Sequence, residues 1–508
     1  MNDGRNMRTG AVVAYVNTIL NIGLGLALTP FLIRTLGGAQ YGLYQMIGPF
    51  VGHLAVLDFG LGNSIIRYVS KYRAEGDEAG EQKLLGMCLR IYLLITVFLI
   101  LISGICYPYL GDIFNQTLDA AELGTLRRMF TLLAANWAVN MLQNTFASVI
   151  QAYRRFTFHR AVILVRLAAR ATLLLILLSE EGGAVTVVWI DTALNLCQYL
   201  IYIAYAVIVL HVRVKFGPID RALFREVFTF SFYVFLNAVM EQIYWKVGAT
   251  LLAVVPYRGI KNTMMVAIHS AGTQLALCFM QFSVAISGVL LPRATEMVVL
   301  GRSRHELTDF MIRVGRIQLA VLGLLMVGFF SIGRQFVIMW LGPEYGEAFA
   351  VAAILFAALL IPLIQNCGIS ILQAMNRHAF RSVMQLTVAM VSIPASIMFI
   401  HAFGVTGAAL GTGLSLIAGN VIGINLYYGR VIGLNIVRFF GEVAHGILPG
   451  MIVSYVVALA VARLNVGGWT GICMKGVFTA IVYIAIVWRF GLSAGEKGML
   501  RRMLIRTH

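Results

Sequence analysis

The chain has 508 residues, is 59% hydrophobic and only 12% charged, and carries 50 glycines, a balance that excludes a water-soluble fold of this length and puts the protein in a bilayer. Its formal charge of +17 arises from 39 Lys and Arg against 22 Asp and Glu. Such an excess marks either a nucleic-acid surface or a membrane topology, and the positions of the basic residues decide between them.

A spanning helix needs about 20 apolar residues, and fourteen stretches qualify: 11–33, 44–66, 84–106, 128–150, 161–179, 184–210, 227–251, 263–290, 314–333, 348–372, 383–402, 404–428, 443–463 and 468–490. With a cytoplasmic N-terminus, most basic residues fall on the cytoplasmic side, among them Arg67, Lys71, Arg73, Arg154, Arg155, Arg302, Arg304, Arg501 and Arg502. The outer connections carry few cations and several acids, including Asp112, Asp119, Glu122, Glu344 and Glu347. This is the positive-inside pattern, with an even number of spans and both ends in the cytoplasm. It removes nucleic acid as a partner. The six cysteines are scattered, with no C-x-x-C and no ligand-like spacing, so they read as small apolar residues and no metal or other cofactor is expected.

The first two spans form a hairpin around a Gly-rich turn. Pro30 and Arg34 precede Leu36-Gly37, Tyr41-Gly42-Leu43-Tyr44 follows, and Leu57-Asp58-Phe59-Gly60-Leu61-Gly62 stands before Arg67. This order of residues resembles the N-terminal hairpin of polysaccharide exporters and O-antigen (Wzx-type) flippases, a branch of the multidrug/oligosaccharidyl-lipid/polysaccharide transporter superfamily. The resemblance implies an all-α polytopic membrane protein of about fourteen helices, with two six-helix lobes around a central cavity and two extra helices at the C-terminal end.

Polar side chains inside spans are expensive, and each has a structural and a functional reading. Asn17, Asn21 and Gly25 lie on the first span, and Asn136, Asn140 and Asn144 form a stripe on the fourth with Gln143 beside it. Tyr233, Asn237, Glu241 and Trp245 recur every fourth residue on the seventh, so they share one face. The eighth carries His269, Ser270, Thr273 and Gln274, and the tenth Gln365 and Asn366. Amides of this kind serve as interhelical glue worth about 0.6 kcal/mol each. On the first, seventh and eighth spans, which the resemblance places around the cavity, they read instead as a hydrated lining able to exchange hydrogen bonds with sugar hydroxyls. A lone His269 is more often hydrogen-bonded than a proton site.

The ionisable residues sharpen the choice. Arg166 and Arg170 lie one turn apart on the fifth span, and Arg170 is too deep to snorkel comfortably. They require either a structural partner, an acid or helix C-terminal carbonyls, or, together with Lys246, a pyrophosphate headgroup, which arginine holds bidentately. Asp58 reads as a structural group pairing with nearby Arg67 or as an ion-coupling site. Asp191 is placed near the outer end of the sixth span, within reach of interfacial water. Glu241, near mid-bilayer, is the principal candidate for coupling to a proton or ion. Lys475, on a peripheral span, reads as structural, and Gly407 and Gly411 form a GxxxG pair suited to close helix packing.

A weak internal repeat sets the division of the chain. Ser148-Val-Ile-Gln-Ala-Tyr-Arg-Arg-Phe-Thr-Phe158 recurs as Ser370-Ile-Leu-Gln-Ala-Met-Asn-Arg-His-Ala-Phe380, after the fourth and the tenth spans. A displacement of six helices keeps the orientation, as in parallel-repeat transporters. The expected organisation is an N-terminal lobe over 1–215, a second over 216–430, and two extra helices with a cytoplasmic tail over 431–508.

No P-loop, H-E-x-x-H or G-x-S-x-G is present, which leaves a transporter and not an ATPase or hydrolase. With the resemblance, the expectation is a flippase of the bacterial cytoplasmic membrane that moves an undecaprenyl-pyrophosphate-linked oligosaccharide by alternating access, for surface polysaccharide or O-antigen synthesis. Its partners would be that substrate, membrane lipid, and the polymerase and glycosyltransferases of the same process. The rivals are a lipid II flippase or a drug/cation antiporter of the same superfamily, and, from another class, a membrane glycosyltransferase or O-antigen ligase. The short outer connections argue against those enzymes, and nothing in the sequence favours a structural scaffold.

Overall fold

The computed structural model describes the chain except residues 1, 53–57, 115–116, 179–181, 218–220, 259, 288–290, 376, 378, 465, 493–496 and 498–508. Side chains are also outside the description at 2–19, 21, 49–52, 230, 233–234, 237, 285–287, 291–293, 295, 373–374 and 379. Asn17, Asn21, Tyr233 and Asn237 of the expected lining therefore lie outside the described residues.

The described chain is helical almost throughout. Its helices are α1 (Asn2–Gly52), α2 (Leu61–Glu75), α3 (Glu78–Phe114), α4 (Ala120–Ala152), α5 (Phe156–Leu177), α6 (Ala184–Ala204), α7 (Arg221–Val254), α8 (Asn262–Ser287) and α9 (Leu291–Val299). There follow α10 (Arg304–Leu341), α11 (Glu347–Ile364), α12 (Asn366–Ala374), α13 (Ala379–Phe403), α14 (Val405–Leu416), α15 (Ile424–Tyr427), α16 (Ile436–Ala444), α17 (Ile447–Ala462) and α18 (Gly468–Ile486). Nine described stretches are long and apolar enough to cross a membrane, or ten with the bent pair Ile436–Ala444 and Ile447–Ala462 as one span. Helices such as α4, α5 and α7 also have spanning length but dilute their apolar content with Asn, Arg, Glu and Lys. A helix satisfies its own backbone hydrogen bonds, which is why this architecture suits a bilayer. Leu94, Val97, Phe98, Ile100 and Leu101 stand exposed on α3 as a surface for lipid.

Three features follow directly from the residues. α1 is two helices joined at Gly37, whose φ of 74° and ψ of 163° form the turn of the expected hairpin; a residue with a β-carbon is strained there. The second arm is then interrupted within the Leu-Asp-Phe-Gly motif, where Phe59 (φ 51°) and Gly60 (φ 71°) are consecutively left-handed before α2 begins. Thirdly, Gly407 and Gly411 do bring α14 against α13. A β-carbon at Gly407 would collide with the carbonyl of Phe399, and one at Gly411 with Ser396. The two copies of the repeat both lead out of a helix, α4 ending at Ala152 and α12 at Ala374.

The chain forms two compact units, Met1–Ala267 and Ile268–His508. In the first, Leu61, Ile65 and Val69 of α2 pack with Leu84, Cys88 and Tyr92 of α3 and with Met141, Val149 and Ile150 of α4. Although the sequence division places α7 after residue 215, this helix packs in the first unit: Phe235 stacks on Phe59 with ring centroids 4.9 Å apart, and the Ser231 and Ser64 hydroxyls lie 2.6 Å apart. In the second unit α10, α11, α13 and α14 carry the core, with Phe279, Phe356 and Phe329 in a stack at 4.2 and 4.6 Å. Arg316 fastens the C-terminal helices by donating to the carbonyls of Glu442, His445 and Gly491 at 2.6, 3.0 and 2.5 Å.

Candidate functional site

The strongest polar cluster inside the spans belongs to the first unit. α5 carries Arg170 opposite Asp191 of α6, and the helix arm after Gly37 carries Tyr44 to the same point. Arg170 Nε donates to Asp191 Oδ1 at 2.5 Å and its Nη2 to Asp191 Oδ2 at 3.1 Å, the two-pronged geometry of a guanidinium on a carboxylate. Nη2 also donates to the Tyr44 hydroxyl at 3.1 Å, and Tyr44 lies 3.4 Å from Asp191 Oδ2. The pair is only partly exposed, at 23% and 17% of side-chain area. Asp191, expected near the outer end of the sixth span within reach of interfacial water, is engaged with Arg170, because α5 and α6 lie side by side and bring residues 21 positions apart into contact.

Arg166, one turn from Arg170, is different. Its side chain is half-buried and within electrostatic reach of Asp191, Arg170, Tyr202 and Tyr44. Its Nε is buried with no hydrogen-bond partner among the described residues. One carboxylate faces two guanidiniums, and Arg170 takes both of its oxygens. That leaves Arg166 without a carboxylate of its own among the described residues.

A second network runs through the broken second arm. Asp58 Oδ1 accepts from the Tyr92 hydroxyl at 2.6 Å and from Asn144 Nδ2 at 3.3 Å. Its partners come from α3 and α4 and do not include Arg67. Farther along α4, Asn136 Oδ1 accepts from Asn140 at 3.1 Å and from Asn195 of α6 at 2.6 Å. Asn140 and Asn144, expected in a substrate lining, each donate one bond here, Asn140 within α4 and Asn144 to Asp58. On α7, Glu241 and Lys246 are both exposed, with no ion pair between them, and Trp245 is half-buried. The separation follows from their placement five residues apart, about 140° round the helix.

The second unit is polar in another way. Gln365 and Asn425 exchange hydrogen bonds at 2.7 and 3.3 Å. Gln385 donates to Asn420, which lies in a π-helical stretch over Ile417–Gly423. His269 is buried with its Nδ1 3.5 Å from Thr273, and Gln274 is half-buried. Lys475 is tied to Gln335 and the Ala462 carbonyl at 3.2 and 3.1 Å. An apolar cavity of about 430 Å³ opens between α8, α10, α11 and α18, lined by Phe279, Phe282, Leu325, Phe329 and Ile472. No cluster of metal ligands occurs among the described residues.

A family model described as polysaccharide biosynthesis protein matches residues 7–298, more than half of the chain. The chain belongs to the polysaccharide biosynthesis protein family. No curated protein matches the sequence. Among solved structures, the lipid II flippase MurJ in an inward closed conformation superposes with a TM-score of 0.72 at 12% identity, over 95% of this chain and 99% of that one. An inward-facing multidrug resistance MATE family transporter of the MOP superfamily gives 0.64 at 13% identity, over 85% and 98%. A MOP superfamily transporter from Pyrococcus furiosus gives 0.54 at 11%, over 83% and 95%. This member of the polysaccharide biosynthesis protein family therefore has the helical fold of those transporters, and the hairpin resemblance at its N-terminus extends to the architecture of the whole chain. It is a multi-pass membrane protein.

The hairpin motif could not have exposed the Tyr44–Arg170–Asp191 cluster, which depends on the pairing of α5 with α6. One signal was available: two deep arginines on one helix demand an acid, and Asp191 is the acid of the next span.

Proposed function

We propose that this protein is a flippase that carries an undecaprenyl-pyrophosphate-linked oligosaccharide repeat unit across the bacterial cytoplasmic membrane, for surface polysaccharide or O-antigen assembly. The observation that carries the reading is Arg166, a guanidinium held inside a span beside a carboxylate already occupied by Arg170. A pyrophosphate supplies the missing acceptor. Family membership supports a saccharide cargo, and the apolar cavity of the second unit suits a substrate with a hydrocarbon part. Glu241 and Lys246 support a wet path, since exposed charges at this depth are tolerable only against water. Both termini are assigned to the cytoplasm by the charge bias. Asn17, Asn21, Tyr233, Asn237, Trp245 and Gln274 remain the proposed glycan contacts, and Lys246 a second phosphate contact. Glu241 is the proposed coupling group. Asp58, held by Tyr92 and Asn144, is proposed to transmit ion binding to the broken arm.

The test is flipping of a fluorescent undecaprenyl-pyrophosphate saccharide in proteoliposomes. Arg166→Ala should lower the rate about tenfold or more, the loss of one charge-assisted contact, with an unchanged melting temperature. Arg166→Lys should recover only part, because the charge survives and the fork does not. A normal rate in Arg166→Ala would remove the anion site from the mechanism.

A further inference from the structure

The end of the first unit where α2 turns into α3 and α4 into α5 holds a cavity of about 450 Å³ that the transport reading does not use. Its walls come from three separate connections. Arg73 comes from the last turn of α2, Glu78 and Glu81 from the start of α3, Tyr153 from the end of α4, and His211 and Arg213 from the segment after α6. The walls are firmly built. The Arg73 guanidinium lies 3.5 Å over the Tyr153 ring, whose hydroxyl donates to Glu81 Oε1 at 2.7 Å. The Lys215 amide donates to the Gln82 carbonyl at 3.2 Å, which clamps the segment after α6 onto α3. His211 is held at a φ of 53°, a left-handed conformation that costs a non-glycine residue energy.

The charges are arranged unusually. Two arginines, a histidine and two glutamates face one small space, yet among the described residues none of these cations forms an ion pair with either glutamate. Arg73 and Glu81 already meet through Tyr153, so the donors and acceptors left for a ligand are chiefly those of Arg213, His211 and Glu78. A simple anion would be attracted by Arg73 and Arg213 but repelled by Glu78 and Glu81. A ligand carrying a phosphate and a primary ammonium satisfies both sets, the phosphate toward the arginines and the N–H groups toward the carboxylates. The connections 2–3, 4–5 and 6–7 all contribute to this one cavity, next to the first residues of the apolar span Glu78–Phe114.

We propose that this cavity is a binding site for a zwitterionic phospho-amine headgroup of a membrane lipid, such as a phosphatidylethanolamine. The ligand is a resident of the bilayer and not the cargo. Its recognition is independent of the substrate assignment above, because Arg166 and Glu241 take no part in it.

Native mass spectrometry of the delipidated, detergent-purified full chain tests the site, with phosphatidylethanolamine, phosphatidylcholine, phosphatidylglycerol and undecaprenyl pyrophosphate added separately at equal concentration. Phosphatidylethanolamine should give about tenfold more retained adduct than phosphatidylcholine, whose quaternary nitrogen has no N–H to donate. Arg213→Gln should lower retention of both zwitterionic lipids, and Glu78→Gln should abolish the excess of phosphatidylethanolamine over phosphatidylcholine and shift preference toward phosphatidylglycerol. Arg213 and Glu78 are exposed, so both variants keep the fold, and an unchanged melting temperature checks it. Equal adducts with all three phospholipids, an excess that survives Glu78→Gln, or retention unchanged by Arg213→Gln overturns the proposal. A preference for undecaprenyl pyrophosphate over phosphatidylethanolamine overturns it too, since the cavity would then be a plain anion site.

Discussion

The polar interior of the first unit is ionic and that of the second is neutral. Between α5, α6 and the arm after Gly37, Arg170, Asp191 and Tyr44 form a charged, directional cluster with Arg166 in excess. In the second unit the corresponding bonds join amides, Gln365 to Asn425 and Gln385 to Asn420. There Arg316 donates to backbone carbonyls, and Lys475 to a carbonyl and an amide. Amide pairs hold helices together at little cost and discriminate weakly. A buried ion pair is costly to assemble and more costly to break, and it imposes a local charge balance that an unpartnered neighbour can exploit. Under the proposed function, it is the first unit that would hold an ionic cargo.

The most severe way to break this contrast is to remove Asp191. Asp191→Ala leaves Arg170 without its carboxylate and should destabilise the protein by about 3–5 kcal/mol, the cost of an orphaned buried charge. It should be read as a fall in melting temperature in detergent. Replacing both residues, as Arg170→Met with Asp191→Leu, should restore most of that loss, since the pair itself contributes little net stability against an apolar replacement. A double variant as unstable as Asp191→Ala would mean that the cluster does more than balance charge.

How much of this was legible before the structure depends on whether the signal is local. The hairpin turn at Gly37, the close packing at Gly407 and Gly411, the helical class and the structural engagement of Lys475 all rest on residues whose neighbours in sequence declare them. The polar networks do not. Asp58 sits nine residues before Arg67 and was expected to pair with it, whereas Tyr92 and Asn144 hold it, because the left-handed Phe59 and Gly60 redirect the chain. For Asp191 the residues alone give a depth near the outer end of its span, within reach of water, but not the facing Arg170, because depth can be read along a helix and the neighbour cannot. The same limit applies to α7: periodicity puts Glu241 and Trp245 on one stripe, and only packing shows that the helix belongs with α2 in the first unit.

A smaller effect should sharpen the functional side of the contrast. If the exposed Glu241 couples an ion to transport, Glu241→Gln keeps the size and hydrogen bonding of the side chain but cannot ionise. Flipping driven by an imposed pH gradient in proteoliposomes should then fall about tenfold, equivalent to ~1.4 kcal/mol, with substrate binding retained. Glu241→Asp should keep part of the response. A Gln variant that still answers the gradient would make Glu241 a hydrogen-bonding member of the stripe.

The smallest expected effect lies in the second unit. Gln365 and Asn425 exchange two hydrogen bonds, and Asn425 Nδ2 also donates to the Val421 carbonyl at 2.7 Å. Removing either amide leaves the other with a backbone partner or none, so a single substitution overstates the value of the pair. The interaction is isolated by Gln365→Ala, Asn425→Ala and the double variant, with unfolding measured for each. If the amides are interhelical glue, the coupling should be about 0.6 kcal/mol, with an upper range near 1.7. Three partners compete for these groups, and the unfolded chain in the membrane also offers alternatives, which keeps the number small. A coupling of the size predicted for Asp191 would erase the distinction between the two interiors. It would place a switching element at the π-helical stretch next to Asn425, where altered helical pitch often accompanies function.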